Sequence, residues 1–242
     1  MISIVGIGPG SESMMTHEAI EALERADVII GYTVYIDLLN GRYADKEVLS
    51  TPMTQEAERC RMCFEQAAKG KDVALICSGD AGIYGLASLM FEFAGEYGDK
   101  TDICVIPGVT AASSGAALLG APLNHDFCVI SLSDRLTSWE VIEKRLRAAA
   151  AGDFVIAIYN PSSRGRQHYL RRACDILLES LEADRICGYV RNIGRKGTER
   201  SLCTLAELRD TQVDMFTTVF IGNSQSKAIG DRLVTPRGYR GI

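Results

Sequence analysis

Three short apolar runs in the first half of the chain each stop at a cluster of small residues. Residues 2–7 run into Gly6-Ile7-Gly8-Pro9-Gly10, residues 73–77 are closed by Ser78-Gly79-Asp80, and residues 103–106 are stopped by Pro107-Gly108. A short uninterrupted apolar run bounded by glycine or proline reads as a strand buried on both faces. Such strands need helices to cover them, and the intervening segments carry helical spacing. Residues 16–26 place Ile20 and Leu23 behind Thr16 as N-cap, and residues 55–69 and 83–97 read as helices too. Residues 110–119 are rich in Ala and Ser, which suits a helix packed closely on its neighbours. With a further apolar run at residues 28–31, this alternation predicts an α/β unit on a mainly parallel sheet.

The second half predicts strands at residues 127–132, 154–159, 185–190 and 215–221, and helices at 139–151 and 169–181. Residues 201–208 fall between the last two strands. Turn-forming residues cluster at Gly120-Ala121-Pro122, the expected boundary between two α/β domains, residues 1–120 and 121–242. There is no internal repeat and no low-complexity segment.

Acidic residues number 31 against 26 Lys and Arg, a net charge of -5. That balance gives no electrostatic reason to expect nucleic acid, which calls for clustered cations. Residues 1–5 enter a strand-like run with no basic leader, and no apolar stretch approaches the roughly 20 residues that span a bilayer. The expectation is a cytoplasmic protein without a membrane partner. Eight cysteines are scattered singly apart from Cys60-x-x-Cys63. Three-residue spacing in a helix puts that pair on one face, read as buried thiols, so no metal site is expected.

Glycines in the first loop let backbone approach a ligand closely. A dinucleotide fingerprint would read G-x-G-x-x-G into a helix, but Ser11 stands where the last glycine belongs and Pro9 stiffens the turn. A tight turn with no ligand explains the loop equally well. In Ser78-Gly79-Asp80-Ala81-Gly82-Ile83-Tyr84-Gly85 one carboxylate follows small residues at a strand end, the edge where parallel sheets bind ligands. The plain reading of Asp80 is a helix N-cap. Pro107-Gly108-Val109-Thr110-Ala111-Ala112 is a third loop of this kind, and three such loops on one sheet would meet at one edge.

In this order and at these spacings, the GIGPG, SGDAGIYG and PGVTAASS segments resemble the tetrapyrrole methylase family, and the resemblance runs essentially end to end. It implies the tetrapyrrole methylase fold: two α/β domains, with S-adenosylmethionine in the cleft between them. The matching positions imply cofactor contacts at Gly8, Pro9, Gly79, Asp80, Ile83, Tyr84, Thr110, Ala111, Asn160 and Asn192, with S-adenosylhomocysteine as product. One departure is Gly79-Asp80-Ala81, where many members read GDP or GGD; the carboxylate stays and the stiff proline goes. The GYTVY segment at 31–35, SLSDR at 131–135, NPSSRGR at 160–166 and TPRGY at 235–239 resemble a narrower branch. That branch methylates carbon 17 of a corrin precursor in cobalamin synthesis and contracts the macrocycle. A homodimer is implied as well.

A sulfonium methyl is already activated, so the implied task is to place it in line with the ring carbon. Contraction needs a base for the carbon-20 hydroxyl and an acid for the lactone. His125, beside Asp126, is the first expectation, ahead of His17 and His168, with Asp80 and Tyr159 as further catalytic candidates. Tyr32, Ser131, Arg135, Arg164 and Arg191 are expected to bind the substrate, since guanidinium forks match its carboxylates. Arg166, Arg195 and Lys196 lie in the same loops. The alternatives are a methylase for another ring position, an NAD-dependent oxidoreductase, and a non-catalytic tetrapyrrole carrier. Against the oxidoreductase, Gly31-Tyr32 stands where an acidic ribose ligand is needed.

Overall fold

A computed structural model describes residues 1–97 and 101–239. The chain divides into two compact units, Met1–Thr110 and Ala111–Ile242. The first runs β1 (Ile2–Gly6), α1 (His17–Arg25), β2 (Val28–Tyr32), α2 (Thr33–Asp37), β3 (Glu47–Thr51), α3 (Glu56–Ala67), β4 (Val73–Cys77), α4 (Ala87–Tyr97) and β5 (Ile103–Ile106). The strands are all parallel, in the order β3-β2-β4-β1-β5. Every residue of β1 and β4 is buried, which is why β4 reads as an unbroken apolar run and β1 as one interrupted only by Ser3. Alternate residues serve opposite faces. Ile4, Ile30 and Leu75 pack with Phe64 of α3 and Met90 of α4, whereas Val5, Ile29 and Ile76 pack with Leu23 of α1.

The Thr16 hydroxyl accepts the Ala19 amide at 3.1 Å and caps α1 as expected. In this unit β3 and α2 had no clear sequence signal. β3 is a largely exposed edge strand without the apolar run of its neighbours, and α2 is one short turn. The helix expected at 83–97 begins only at Ala87, because residues 82–86 form bends in which Tyr84 has φ +55.

The second unit runs α5 (Ala111–Leu119), β6 (Gly120–Ala121), β7 (Phe127–Ser131), α6 (Trp139–Ala151), β8 (Val155–Tyr159), α7 (Tyr169–Leu177), β9 (Ile186–Arg191), β10 (Glu199–Thr204), α8 (Leu205–Asp210), β11 (Thr217–Ile221), β12 (Lys227–Ile229) and β13 (Arg232–Val234). Its main sheet has the order β10-β9-β11-β8-β7. β7 and β8 are parallel, and β11 is antiparallel to both β8 and β9, so β7, β8 and β9 point the same way. α6, α7 and α8 bury Ile142, Leu146, Leu177 and Leu208 on one face.

α5 covers the other face, where Ala112, Ala116 and Leu119 meet Val190 and Phe220. Its small residues permit that approach: a Cβ on Gly115 would lie 3.0 Å from the Phe220 ring. This packing places the division between Thr110 and Ala111, ahead of the Gly120-Ala121-Pro122 junction. Gly120 and Ala121 instead pair with β13 in a small third sheet.

Cys60 and Cys63 lie on α3, buried in the same core cluster as Cys77. Burial pushes the Cys60 thiol up to about 12 and the Cys63 thiol well above the ordinary value. Both stay protonated at neutral pH, so the CxxC pair is core packing. Among the described residues no helix is long and apolar enough to cross a membrane.

Candidate active site

Because the first sheet is wholly parallel, the loops after β1, β4 and β5 emerge at one edge, from three adjacent strands. Gly8 and Gly79 exchange backbone hydrogen bonds of 3.1 and 2.7 Å, both at φ +71. That left-handed geometry suits glycine alone without strain. Gly108 comes closer still: an added Cβ would lie 2.1 Å from the Gly79 carbonyl oxygen.

Asp80 joins the loops. Its Oδ1 accepts the amides of Gly82 and Ile83 at 2.8 and 3.1 Å, and its Oδ2 accepts the Gly108 amide at 2.9 Å. Asp80 is therefore not the N-cap of α4, which starts seven positions later at Ala87; it closes a turn and ties two loops together. A carboxylate has about four acceptor positions, so three donors leave capacity for a ligand.

Next to Asp80, Ile83 is 40% and Tyr84 56% exposed. A bulky residue at φ +55 is strained, the kind of cost found at ligand sites. Bare backbone, one carboxylate and an exposed apolar patch suit a ligand with hydroxyls, a ring and a positive centre. S-adenosylmethionine has that chemistry, so the residues fit it. Pro9 is buried in this loop set, and Thr110 ends it. Tyr32 ends β2 at the same edge, its ring edge-on to Tyr35 at 5.1 Å.

In the second unit the carboxyl ends of β7, β8 and β9 bring Ser131, Tyr159 and Arg191 to one sheet edge. Asn160 has φ +54, and its Nδ2 donates to the Ser131 hydroxyl at 2.9 Å. The Tyr159 hydroxyl accepts the Ala112 amide at 2.6 Å, so it caps α5 beside Ala111. Asn192 has φ +52, and its side chain donates to the Gly197 carbonyl at 3.3 Å.

The expected substrate arginines separate into two groups. Arg191 is already paired, its Nε 2.7 Å from Asp214 and its guanidinium 3.9 Å from Glu199. Arg166 likewise has Asp134 at 2.7 Å. Among the described residues, neither Arg135 nor Arg164 has an ion-pair partner.

The structure places His125 apart from that edge. It lies in the loop before β7, whereas Ser131 ends that strand, so the strand's full length, about 3.3 Å per residue, separates them. His125 is exposed, and its Nδ1 accepts the Asp126 amide at 3.0 Å. The histidines at the carboxyl edges are instead His17, at the head of α1 beside Glu21, and His168, at the head of α7 against Tyr169.

Two residues went unassigned in the sequence. Arg59 of α3 is only 4% exposed; it donates to the Thr51 hydroxyl at 2.6 Å and the Pro52 carbonyl at 3.0 Å, and lies 6.0 Å over the Tyr32 ring. Asp134, within SLSDR, accepts a hydrogen bond from the Tyr169 hydroxyl. An acid or base in a sequence does not reveal its partner 35 residues away.

Known proteins share both sequence and fold. The chain is 49% identical over 239 residues to the probable cobalt-factor III C(17)-methyltransferase of Salmonella typhimurium (strain LT2), covering 99% of each chain. It is 38% identical to the precorrin-3B C(17)-methyltransferase of Sinorhizobium sp, covering 98% of this chain and 96% of that one. The crystal structure of the methyltransferase CobJ superposes with a TM-score of 0.90 at 38% identity, over 97% of this chain and 99% of that one. The profile of the tetrapyrrole (corrin/porphyrin) methylases matches residues 1–209, and the chain belongs to that family.

Proposed function

We propose that this protein transfers a methyl group from S-adenosylmethionine to carbon 17 of cobalt-factor III, with contraction of the macrocycle, in cobalamin biosynthesis. The observation that carries this reading is the end-to-end likeness to the Salmonella protein. Metal-free precorrin-3B is the second reading, favoured by the more distant Sinorhizobium relative.

S-adenosylmethionine supplies a sulfonium methyl that needs no further activation. The chain's work is placement and selective binding. Gly8, Pro9, Gly79, Ile83, Tyr84 and Thr110 are assigned to the cofactor, with Asp80 fixing their loops and lending its charge. Ala111, Asn160 and Asn192 keep the cofactor role that the family motif implies. The cofactor loses its charge on transfer, so strong uniform stabilisation of the cation would slow the step. Three amides already draw on the Asp80 carboxylate, which moderates that effect. Tyr159 is assigned to positioning through its cap on α5. Ser131, Arg135 and Arg164 take the substrate, Tyr32 adds an aromatic surface, and the paired Arg191 is given a structural part. A cytoplasmic homodimer completes the reading, and light scattering tests its mass.

The deciding experiment supplies methyl-labelled S-adenosylmethionine with cobalt-factor III or precorrin-3B and weighs the product. One added methyl on the cobalt substrate, formed faster than on the metal-free ring, is expected. Transfer to neither ring by protein that still binds S-adenosylhomocysteine overturns the substrate assignment.

A further inference from the structure

The loops after β7 and β8 are locked together by one acidic residue. The Tyr169 hydroxyl donates to Asp134 Oδ2, and the Arg166 Nε lies 2.7 Å from Asp134 Oδ1. Tyr169 opens α7 and its ring lies 4.7 Å from that of Trp139, which opens α6. Trp139 Nε1 donates to Glu143 at 2.6 Å, and Arg172 lies over the Trp139 ring at 4.4 Å with Glu143 at 2.9 Å. Two loops and two helix starts thus form a single polar and aromatic network. The Tyr169 hydroxyl, then the Arg166 charge, holds the Asp134 carboxyl below the usual carboxylate range, and the same bond pushes the Tyr169 hydroxyl up. Asp134 is ionised at neutral pH and committed to the clamp.

The neighbours of this clamp are uncommitted. Arg135 follows Asp134 directly and Arg164 lies two residues before Arg166; neither has an ion-pair partner among the described residues. Leu136, beside Arg135, is 100% exposed. Unpaired cations next to a bare apolar side chain complement a ring that is apolar on its face and carboxylated at its rim. Two like charges on mobile loops would drift apart, and fixing them beforehand lowers the entropy lost on binding.

We infer that Asp134 is a positioning residue for the substrate, clamping the two loops through Tyr169 and Arg166 so that Arg135 and Arg164 present their guanidiniums to the ring carboxylates. This rests on the tetrapyrrole reading above. It goes beyond that reading in assigning a role to a residue that touches no substrate.

The test measures KM and kcat for the tetrapyrrole, the S-adenosylhomocysteine affinity and the melting temperature. The variants are Asp134→Asn, Tyr169→Phe and Arg135→Ala/Arg164→Ala, with Asp134→Asn also placed in the double-alanine background. Asp134→Asn should raise KM about tenfold, the scale of one lost charge-assisted hydrogen bond, with kcat and cofactor affinity nearly unchanged. Tyr169→Phe should shift KM in the same direction by less. In the double-alanine background Asp134→Asn should add under about twofold, because it acts through those arginines. The inference is overturned if Asp134→Asn leaves KM unchanged where Arg135→Ala/Arg164→Ala raises it, or if its effect persists undiminished in that background. If the double-alanine variant itself leaves KM unchanged, the substrate assignment of this edge fails and takes the inference with it. Should Asp134→Asn fail to fold, Tyr169→Phe in both backgrounds decides by the same criterion.

Discussion

The Gly108 amide donates to Asp80 Oδ2 at 2.9 Å, fastening the loop after β5 to the loop after β4. Asp80 Oδ1 meanwhile closes the turn over Gly82 and Ile83. One carboxylate therefore shapes the edge at which the cofactor is proposed to bind. Its loss alters backbone as well as charge.

Asp80→Ala should lower folding stability by about 2 kcal/mol, since three charge-assisted bonds vanish while partly exposed amides regain water. It should also weaken S-adenosylhomocysteine binding by more than about tenfold. Calorimetry and urea unfolding check both. Wild-type affinity in a destabilised Asp80→Ala variant would confine Asp80 to a structural role.

Two glycine substitutions should have opposite signs. Gly108→Ala sets a methyl 2.1 Å from the Gly79 carbonyl, backbone against backbone, and should cost over about 3 kcal/mol or abolish soluble expression. Gly95→Ala, at an exposed position of α4 with nothing within 4 Å of the added carbon, should stabilise by about 0.5–1 kcal/mol. A Gly108→Ala melting temperature at or above that of wild type would contradict the loop packing, and a lowered one for Gly95→Ala would contradict the open space beside α4.

His125→Ala should form contracted, methylated product at close to the wild-type rate, because His125 stands at the amino end of β7, away from Ser131 and Asn160. Product mass and single-turnover rates decide it. A loss of contraction with methylation intact would restore His125 as the base.

Stability should decline on the alkaline side through the buried thiols. Burial raises Cys60 and Cys174 to about 12, and Cys77 and Cys203 to about 11, from an ordinary value near 9. The folded state thus holds these protons more tightly than the unfolded chain. Their stabilisation is complete below about pH 9 and is lost as pH rises through 9 towards 11 and 12. Urea midpoints between pH 8 and 11 should fall less steeply for Cys60→Ser than for wild type. Parallel slopes would show that Cys60 ionises equally easily in both states.

Much of the first unit was legible because its physics is local. β1, β4 and β5 are mainly apolar and meet a glycine or proline within two residues of their ends, and Thr16 caps α1 through a bond three residues away. The family motif implies cofactor contacts at Asn160 and Asn192; their left-handed backbones, with side-chain bonds to Ser131 and Gly197, give a physical reason for asparagine there. β3 was missed because an exposed edge strand needs no apolar run. The start of α4 falls later than expected because the residue pattern does not announce that Asp80 and a strained Tyr84 hold residues 81–86 in bends.

Periodicity, glycine placement and motif order were enough for most of the strands and helices and for the family, since each depends on neighbours along the chain. They could not say which charges are already satisfied. Arg191 and Arg164 read alike as loop arginines, yet Asp214, 23 residues beyond Arg191, neutralises one, while no described carboxylate pairs with the other. His125 stands ahead of His168 as an expectation from sequence, yet strand direction sends the two to opposite ends of a sheet. Pairing and direction are long-range properties, fixed when the chain closes on itself.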